Sequence, residues 1–560
     1  MVVSSFCELR KRMIESLRNG LWLTRERMRL VSAILLVFYA LSTGFLFATS
    51  DGRLDRFDRP LGTDFSGVWT AGVSVLEGHP ESPFDPQSHA AKQRSLFGDP
   101  DAFFPWSYPP FFLALAAALA LLPYALALIA WQGATLALYL GLVRRILPGR
   151  DALLLAAAFP AVFINIGHGQ NGFLSAALLG GGLVLLDRRP WVAGVLIGLL
   201  AYKPQFGLLI PIALIAGFYW RTIVAAALTV VAMSLATFEA FGWSTWQAFF
   251  DCLDFSRRVN IEGGATGWEK IQTVFAAVRM WGGSVELAYA VQTVSAASCA
   301  AALLVIWGGR ADWRLRGAAL MVAALLATPY ALDYDMMLLG PAIAMVASYG
   351  MQRGFLPWEK SILAITWIVP ILARNIAGVT LVPVGLLSML AFAALILWRA
   401  CLDMGLVGWC VKFAEKHAAL VAQMRAFLVV GVIGFVVDAG LTMLLSSAGG
   451  LSPYAARIPA VLCAATTTWL LNRRHTFRSQ DVQRAREFVR YLSVSVVGTT
   501  LNYTVYSLVL MGIARMGLTF VTQNMAIVAA VTCGSLVSMS LTFTGFRLFA
   551  FQRERARHAA

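Results

Sequence analysis

The chain has 560 residues, 59% of them hydrophobic and only 13% charged, with a mean hydropathy of +0.70. A soluble fold of this size cannot hide that much apolar surface, so lipid must solvate most of it. The net charge of +15 does not point to nucleic acid, because Lys and Arg lie in short clusters between apolar runs, as in loops that hold positive charge on the cytoplasmic side.

The amino end, residues 1–29, carries Arg10, Lys11, Arg12, Arg18, Arg25, Arg27 and Arg29 without a small-residue cleavage site. It reads as a cytoplasmic surface helix leading into an uncleaved span. Candidate spans follow at 30–49, then, after a polar and aromatic stretch (50–109), in the apolar block 110–143. That block is too long for one helix at ~1.5 Å per residue, and Pro123 is expected to break it. Further spans are expected at 153–166, 173–186, 191–202, 206–219 and 222–241 and, beyond a second polar stretch, at 287–307, 317–330, 336–349, 362–372 and 381–398.

Arg144, Arg145, Arg150, Arg188, Arg189, Arg221, Arg310, Arg314, Arg316, Arg353, Lys360 and Arg399 fall at alternate span ends. Placing them in the cytoplasm is self-consistent if 110–143 makes one net crossing, one piece being partial or re-entrant. Asp64, 168–171, 203–205, 257–270 and 333–335 then share the periplasmic face. Unrelated polar residues would scatter over both faces, so their convergence points to a site. The seven cysteines are scattered singly, without CxxC, so neither a disulfide framework nor a zinc site is expected. Cys252 is the one placed in a far-side loop.

Residues 401–424 (Asp403, Lys412, Glu415, Lys416, His417) read as a polar linker, followed by four more spans at 427–445, 455–471, 491–511 and 524–546. These contain an internal repeat. FLVVGVIGFVVD (427–438) matches YLSVSVVGTTLN (491–502), with Gly434 over Gly498 and Asp438 over Asn502, and WLLNRRHTF (469–477) is set against LTFTGFRLF (541–549). Two helices per repeat make a parallel duplication, as in small membrane carriers.

The first polar stretch reads GTDFSGVWTAGVSVLEGHPESPFDP (62–86) and then FFPWSYPP (103–110). Asp64 stands beside Phe65 and Trp69, ahead of an expected surface helix over 66–76. A carboxylate at the rim of an apolar bundle can act as a general base. Asp is also a favoured N-cap, which is the structural alternative.

The pattern TDFxxxWxAGxxxLxGxxxxxFDP followed by YPP resembles glycosyltransferase family 87, membrane-embedded GT-C enzymes that use polyprenyl-phosphate sugars. GHGQNG (167–172), AYKPQ (201–205), WEKIQTVFAAVR (268–279) and TPYALDYDMMLL (328–339) follow in the family's order, so the resemblance covers roughly residues 30–400. It implies that Asp64 takes the acceptor hydroxyl's proton during attack on the anomeric carbon, through an oxocarbenium-like transition state and with inversion. The leaving phosphate needs no general acid, only positive charge and hydrogen-bond donors. The resemblance implies no metal and no other cofactor, the lipid-linked sugar being a substrate.

Lys203, at an apolar helix end interrupted by Pro204, is costly at membrane depth unless it meets an anion or water. It is the first candidate for binding phosphate, with a snorkelling lysine as the alternative. Arg257, Arg258 and Lys270 are further cationic candidates or plain loop charge. His168, Gln170 and Asn171 can bind sugar or phosphate, or can satisfy backbone groups where two helices turn. Tyr108 of the YPP element is grouped with them. Asp333 and Asp335 can bind a sugar or a divalent metal, or cap a helix start. Trp268 and Glu269 can stack on and hydrogen-bond a sugar ring, unless Trp268 is only an interfacial anchor.

The last four spans resemble the GtrA-like family in the VGVIGFVVD first span, the LNRRHTF exit and the repeat. Members are proposed to move polyprenyl-phosphate sugars or to accompany the enzymes using them. Candidate positions are Asp438, Asn502, Asn472, Arg473 and Arg474, the arginines being equally topology determinants. Covalent fusion would raise the local donor concentration.

The expectation is an all-α polytopic protein with a GT-C-type bundle over 30–400 (loops 50–108 and 242–284), a linker at 401–424 and a four-helix GtrA-like module at 425–553. It would sit in a bacterial inner membrane with both termini cytoplasmic and the site periplasmic. Its partners would be a polyprenyl-phosphate sugar, a lipid or polysaccharide acceptor and membrane lipids, not nucleic acid. Two alternatives stand beside transfer: a flippase throughout, or a module that only docks and stabilises the enzyme.

Overall fold

The computed structural model describes residues 12–98, 103–408, 418–447, 453–477, 479, 484–515, 533–534 and 537–551. Among these the chain is helical, with two isolated bridges, Leu54 to Pro60 and Ile271 to Leu332, in place of strands. Contacts divide it into two units, Met1–Gly405 and Leu406–Ala560. It is a multi-pass, all-α membrane protein.

In the first unit proline punctuates the apolar runs, starting the helices Pro86–Phe97, Pro110–Ala120, Pro160–His168, Pro190–Leu199 and Pro370–Thr380. At a first helical position its missing N–H costs nothing. The 110–143 block breaks at Pro123 into Pro110–Ala120 and Tyr124–Ile146. The first piece has 11 residues, about 16 Å, half of a ~30 Å hydrocarbon core. Only the second is long enough to cross.

Arg25–Ala48, Val285–Gly308 and Val384–Asp403 are also long and apolar enough to span. Arg150–Ala157 with Pro160–His168 is bent by 46°, and Glu359–Ile368 with Pro370–Thr380 by 75°. Trp313–Ala327 (WRLRGAALMVAALLA) buries thirteen of its residues; a helix apolar on every side belongs in the middle of a bundle. Arg25–Ala48 instead exposes Leu30, Ile34, Val37, Phe38, Leu41 and Phe45, a face suited to lipid.

Three expectations change here. The helix expected over 222–241 runs on as Trp220–Ser256 through a kink at Gly242 (φ 78°), so Cys252 lies buried in a helix rather than in a loop. The helix expected at the surface over 66–76 is Phe65–Leu76, with nine buried residues. A Cβ on its Gly72 would run into the carbonyl of Ala116, so bare backbone lets it press on Pro110–Ala120. Asp403 is no linker residue: it accepts from Tyr349 Oη (2.7 Å) and the Asp312 amide (2.8 Å) within the first unit. Lys412, Glu415, Lys416 and His417 lie outside the described residues.

Gly72→Val should therefore destabilise the unit by about 1–3 kcal/mol through overpacking. Gly133→Val, at a position where a Cβ meets nothing, should change little. Thermal unfolding in one detergent compares the two.

At one end of the unit, Asp151 takes Arg25 (2.5 Å) and Arg29 (2.7 Å), and Glu359 takes Arg399 (2.6 Å). Arg316 reaches Tyr219 Oη (2.7 Å) and Asp187 (3.6 Å). Helices that start or end in this belt carry His168, Asn171, Lys203 and Asp333 at their opposite ends. The candidate polar residues thus share the end away from the belt.

The second unit has Ala418–Ser447, Pro453–Leu471, Arg484–Arg515 and a helical stretch over 537–545, with π-turns at Asn472–Thr476 and Phe546–Ala550. The duplication is visible in the packing. A Cβ on Gly434 would clash with Thr468 Cγ2, and one on Gly498 with Thr542 Cγ2. These pairs and the two π-turns move the second-helix alignment by two residues, laying 469–477 over 543–551 rather than over 541–549. Trp469 then matches Phe543, Arg473 matches Arg547, and Phe477 matches Phe551. The last two rings stack at 4.8 Å and 12°.

Candidate functional site

Two turns interlock to build the site. Gly62 (φ 67°) and Gly169 (φ 62°) both need left-handed backbone. A Cβ on Gly62 would stand 3.3 Å from Gly169 Cα, and one on Gly169 2.8 Å from Gly62 O. Side chains would drive the turns apart, and with them Asp64 from His168 and Gln170.

Asp64 precedes Phe65–Leu76 in αR conformation without a side-chain capping bond, so the N-cap alternative fails. Its Oδ2 accepts from Gln170 Nε2 at 3.0 Å and lies 3.9 Å from Lys270 Nζ. Its Oδ1 lies 3.9 Å from His168 Nδ1, which is 3.0 Å from Thr63 Oγ1. Gln170 Oε1 accepts from Tyr108 Oη (3.1 Å), and Tyr108 Oη in turn accepts from Asn171 Nδ2 (2.8 Å). A line of donors thus ends on one carboxylate oxygen. The Asp64 side chain keeps 17% exposure, enough for a hydroxyl to reach it.

Lys270 arrives by a short backbone pairing. The Gln272 amide donates to Ala331 O (2.8 Å) and the Asp333 amide to Lys270 O (3.1 Å). Lys270 is 9% exposed, and its Nζ stands 5.9 Å from the centre of the Tyr334 ring.

Lys203 stands 4.9 Å from that ring and is 3% exposed. It is not a free phosphate ligand: Nζ donates to Asp335 Oδ1 at 2.5 Å. Asp335 Oδ2 accepts the Leu332 amide (3.0 Å), so this acid both caps its turn and balances the lysine, leaving it unsuited to hold a sugar or metal. Asp333 accepts from the Tyr334 amide (2.9 Å). Burial pushes its carboxyl up to about 6, against the opposing pull of Lys270 and Arg374. Among the described residues no group of three His, Cys, Asp or Glu stands where it could hold a metal ion.

Arg257 and Arg258 both pair with Asp254, the former at 2.6 Å, and are more than half exposed, as surface ion pairs are. They do not join the cluster. Trp268 is half-buried under the Arg279 guanidinium (5.3 Å), and Glu269 sits beside Lys270 in the same loop. Arg374 was missed, because the span expected over 362–372 stopped short of it; a lone Arg inside an apolar run was the available signal.

In the second unit the Asp438 side chain lies outside the described residues. Asn502 packs on Gly534, where an added Cβ would stand 3.0 Å from its Oδ1. Asn472 is 2% exposed, and Arg474 is exposed. Arg473 donates to Glu487 at 2.7 Å. Glu487 is fully buried, also accepts from Trp469 Nε1 (3.1 Å), and was not foreseen.

Residues 106–329 match the model of glycosyltransferase family 87, and residues 426–551 match that of the GtrA/DPMS transmembrane domain. No curated protein and no solved structure matches the chain. Asp64 and Asp333 fall outside the first match; Gln170 and Lys270, inside it, tie both to it by direct contact. The chain is a membrane glycosyltransferase that joins a family 87 region to a GtrA/DPMS transmembrane domain.

Proposed function

We propose that the first unit transfers a sugar from a polyprenyl-phosphate donor to a lipid or polysaccharide hydroxyl on the periplasmic face. The observation that carries this is the Asp64 carboxylate, reachable yet fixed by Gln170 between His168 and Lys270. The acceptor O–H gives its proton to Asp64 while its oxygen bonds the anomeric carbon. The bond from that carbon to the phosphate oxygen breaks, and its electron pair leaves with the polyprenyl phosphate. The protein contributes positioning of the base and fixed positive charge where the phosphate departs. One displacement inverts the anomeric centre. NMR of the product from a donor of known anomeric configuration tests the reading: inversion supports it, and retention or no transfer overturns it.

The GtrA/DPMS domain is proposed to bring the donor across the membrane or to deliver it. Removing residues 424–560 should leave transfer from externally supplied donor within about twofold, while transfer from cytoplasmically made donor falls by at least about tenfold, the scale of effective-concentration effects. Equal loss with both donors would instead make the domain a stabilising partner.

A further inference from the structure

An anionic leaving group needs a cation not already neutralised, and the buried Lys203–Asp335 pair does not supply one. Lys270 lies 3.9 Å from the base itself. A third cation stands at this end of the bundle. Arg374 lies on Pro370–Thr380, which leaves Glu359–Ile368 at 75° and packs on Pro160–His168 and on the Asp333–Leu338 turn.

The same helix runs along the Lys270 loop. A Cβ on Gly378, one turn beyond Arg374, would stand 3.7 Å from Glu269 Cγ, and Trp281 Nε1 donates to Leu381 O at 2.7 Å. Ala373 and Ala377 face inward, while Leu372, Val379, Leu381 and Val382 are exposed, as suits contact with lipid chains. Arg374 is exposed between these faces and, among the described residues, makes no hydrogen bond or ion pair. It is nonetheless an electrostatic neighbour of both His168 and Asp333. A guanidinium at a lipid-facing bend without a carboxylate is expected to meet an anionic oxygen cluster.

We propose that Arg374 binds the phosphate of the lipid-linked donor, on the lipid-facing side of the Asp64 site. The assignment rests on the transferase reading above and adds to it the residue that replaces Lys203. A guanidinium can hold two phosphate oxygens at once, and its helix presents apolar side chains to the attached lipid chain.

The chemistry recognised, a lipid phosphate, is shared by the donor and by ordinary phospholipid headgroups. The test measures binding of polyprenyl monophosphate to the full chain in phosphatidylcholine nanodiscs, with and without phosphatidylglycerol. Arg374→Gln should weaken it by at least about tenfold and Arg374→Lys by less, since Lys keeps the charge and loses the fork. Arg258→Gln, at a surface ion pair, should change nothing. Unchanged affinity in Arg374→Gln would overturn the proposal, and an effect seen only as competition from phosphatidylglycerol would overturn it by assigning Arg374 to phospholipid headgroups. Failure of the unmutated chain to bind polyprenyl phosphate at all would instead remove the transferase reading. Should Arg374→Gln fold poorly, Arg374→Lys still decides, by raising KM for the donor or leaving it unchanged.

Discussion

Replacing Asp64 by Asn is expected to slow sugar transfer by about 10²–10⁴-fold, the range general-base catalysis contributes, while polyprenyl phosphate still binds. An amide carbonyl can keep the bond from Gln170 Nε2 (3.0 Å), so the turn and its neighbours should hold their places. What is lost is the ability to take a proton. The same change removes a negative charge 3.9 Å from Lys270, so phosphate affinity should stay level or rise. A fall in transfer with intact binding separates chemistry from recognition. Undiminished transfer would assign the base elsewhere.

The second large effect is on stability. Lys203 and Asp335 are each about 97% buried and bonded at 2.5 Å. Removing either partner alone strands a charge in an apolar interior, which costs about 3–5 kcal/mol. Lys203→Met and Asp335→Leu should therefore each lower thermal stability in detergent sharply. The double replacement should lie well above the sum of the two, because an apolar pair of similar volume can stand in for a buried ion pair. A Lys203→Met protein that unfolds normally yet no longer binds polyprenyl phosphate would restore the phosphate-ligand role.

Much of the architecture was legible because composition and proline placement act locally. Pro123 had to break its apolar block, and Arg25, Arg29, Arg316 and Arg399 do pair with carboxylates in one belt. Asp64, His168, Gln170 and Tyr108 were legible as a group because each sits at a turn, and the turns prove to interlock.

What was missed depends on partners far along the chain. Lys203 read as an unmet cation because Asp335, 132 positions away, cannot be paired with it from sequence. Phe65–Leu76 read as a surface helix because its cover, Pro110–Ala120, presses on Gly72 only in three dimensions. The repeat was found, but its second helices were set two residues out of register. Similar apolar and aromatic residues fit either alignment, and only the Gly434–Thr468 and Gly498–Thr542 contacts distinguish them.

The most direct test is a density map of the full chain with a bound polyprenyl-phosphate sugar. The phosphate should lie between Lys270 and Arg374, with the anomeric carbon toward Asp64 and room for one acceptor oxygen between them. A headgroup seated in the Arg399–Glu359 belt, or buried beside Lys203 with that lysine turned away from Asp335, would contradict the account.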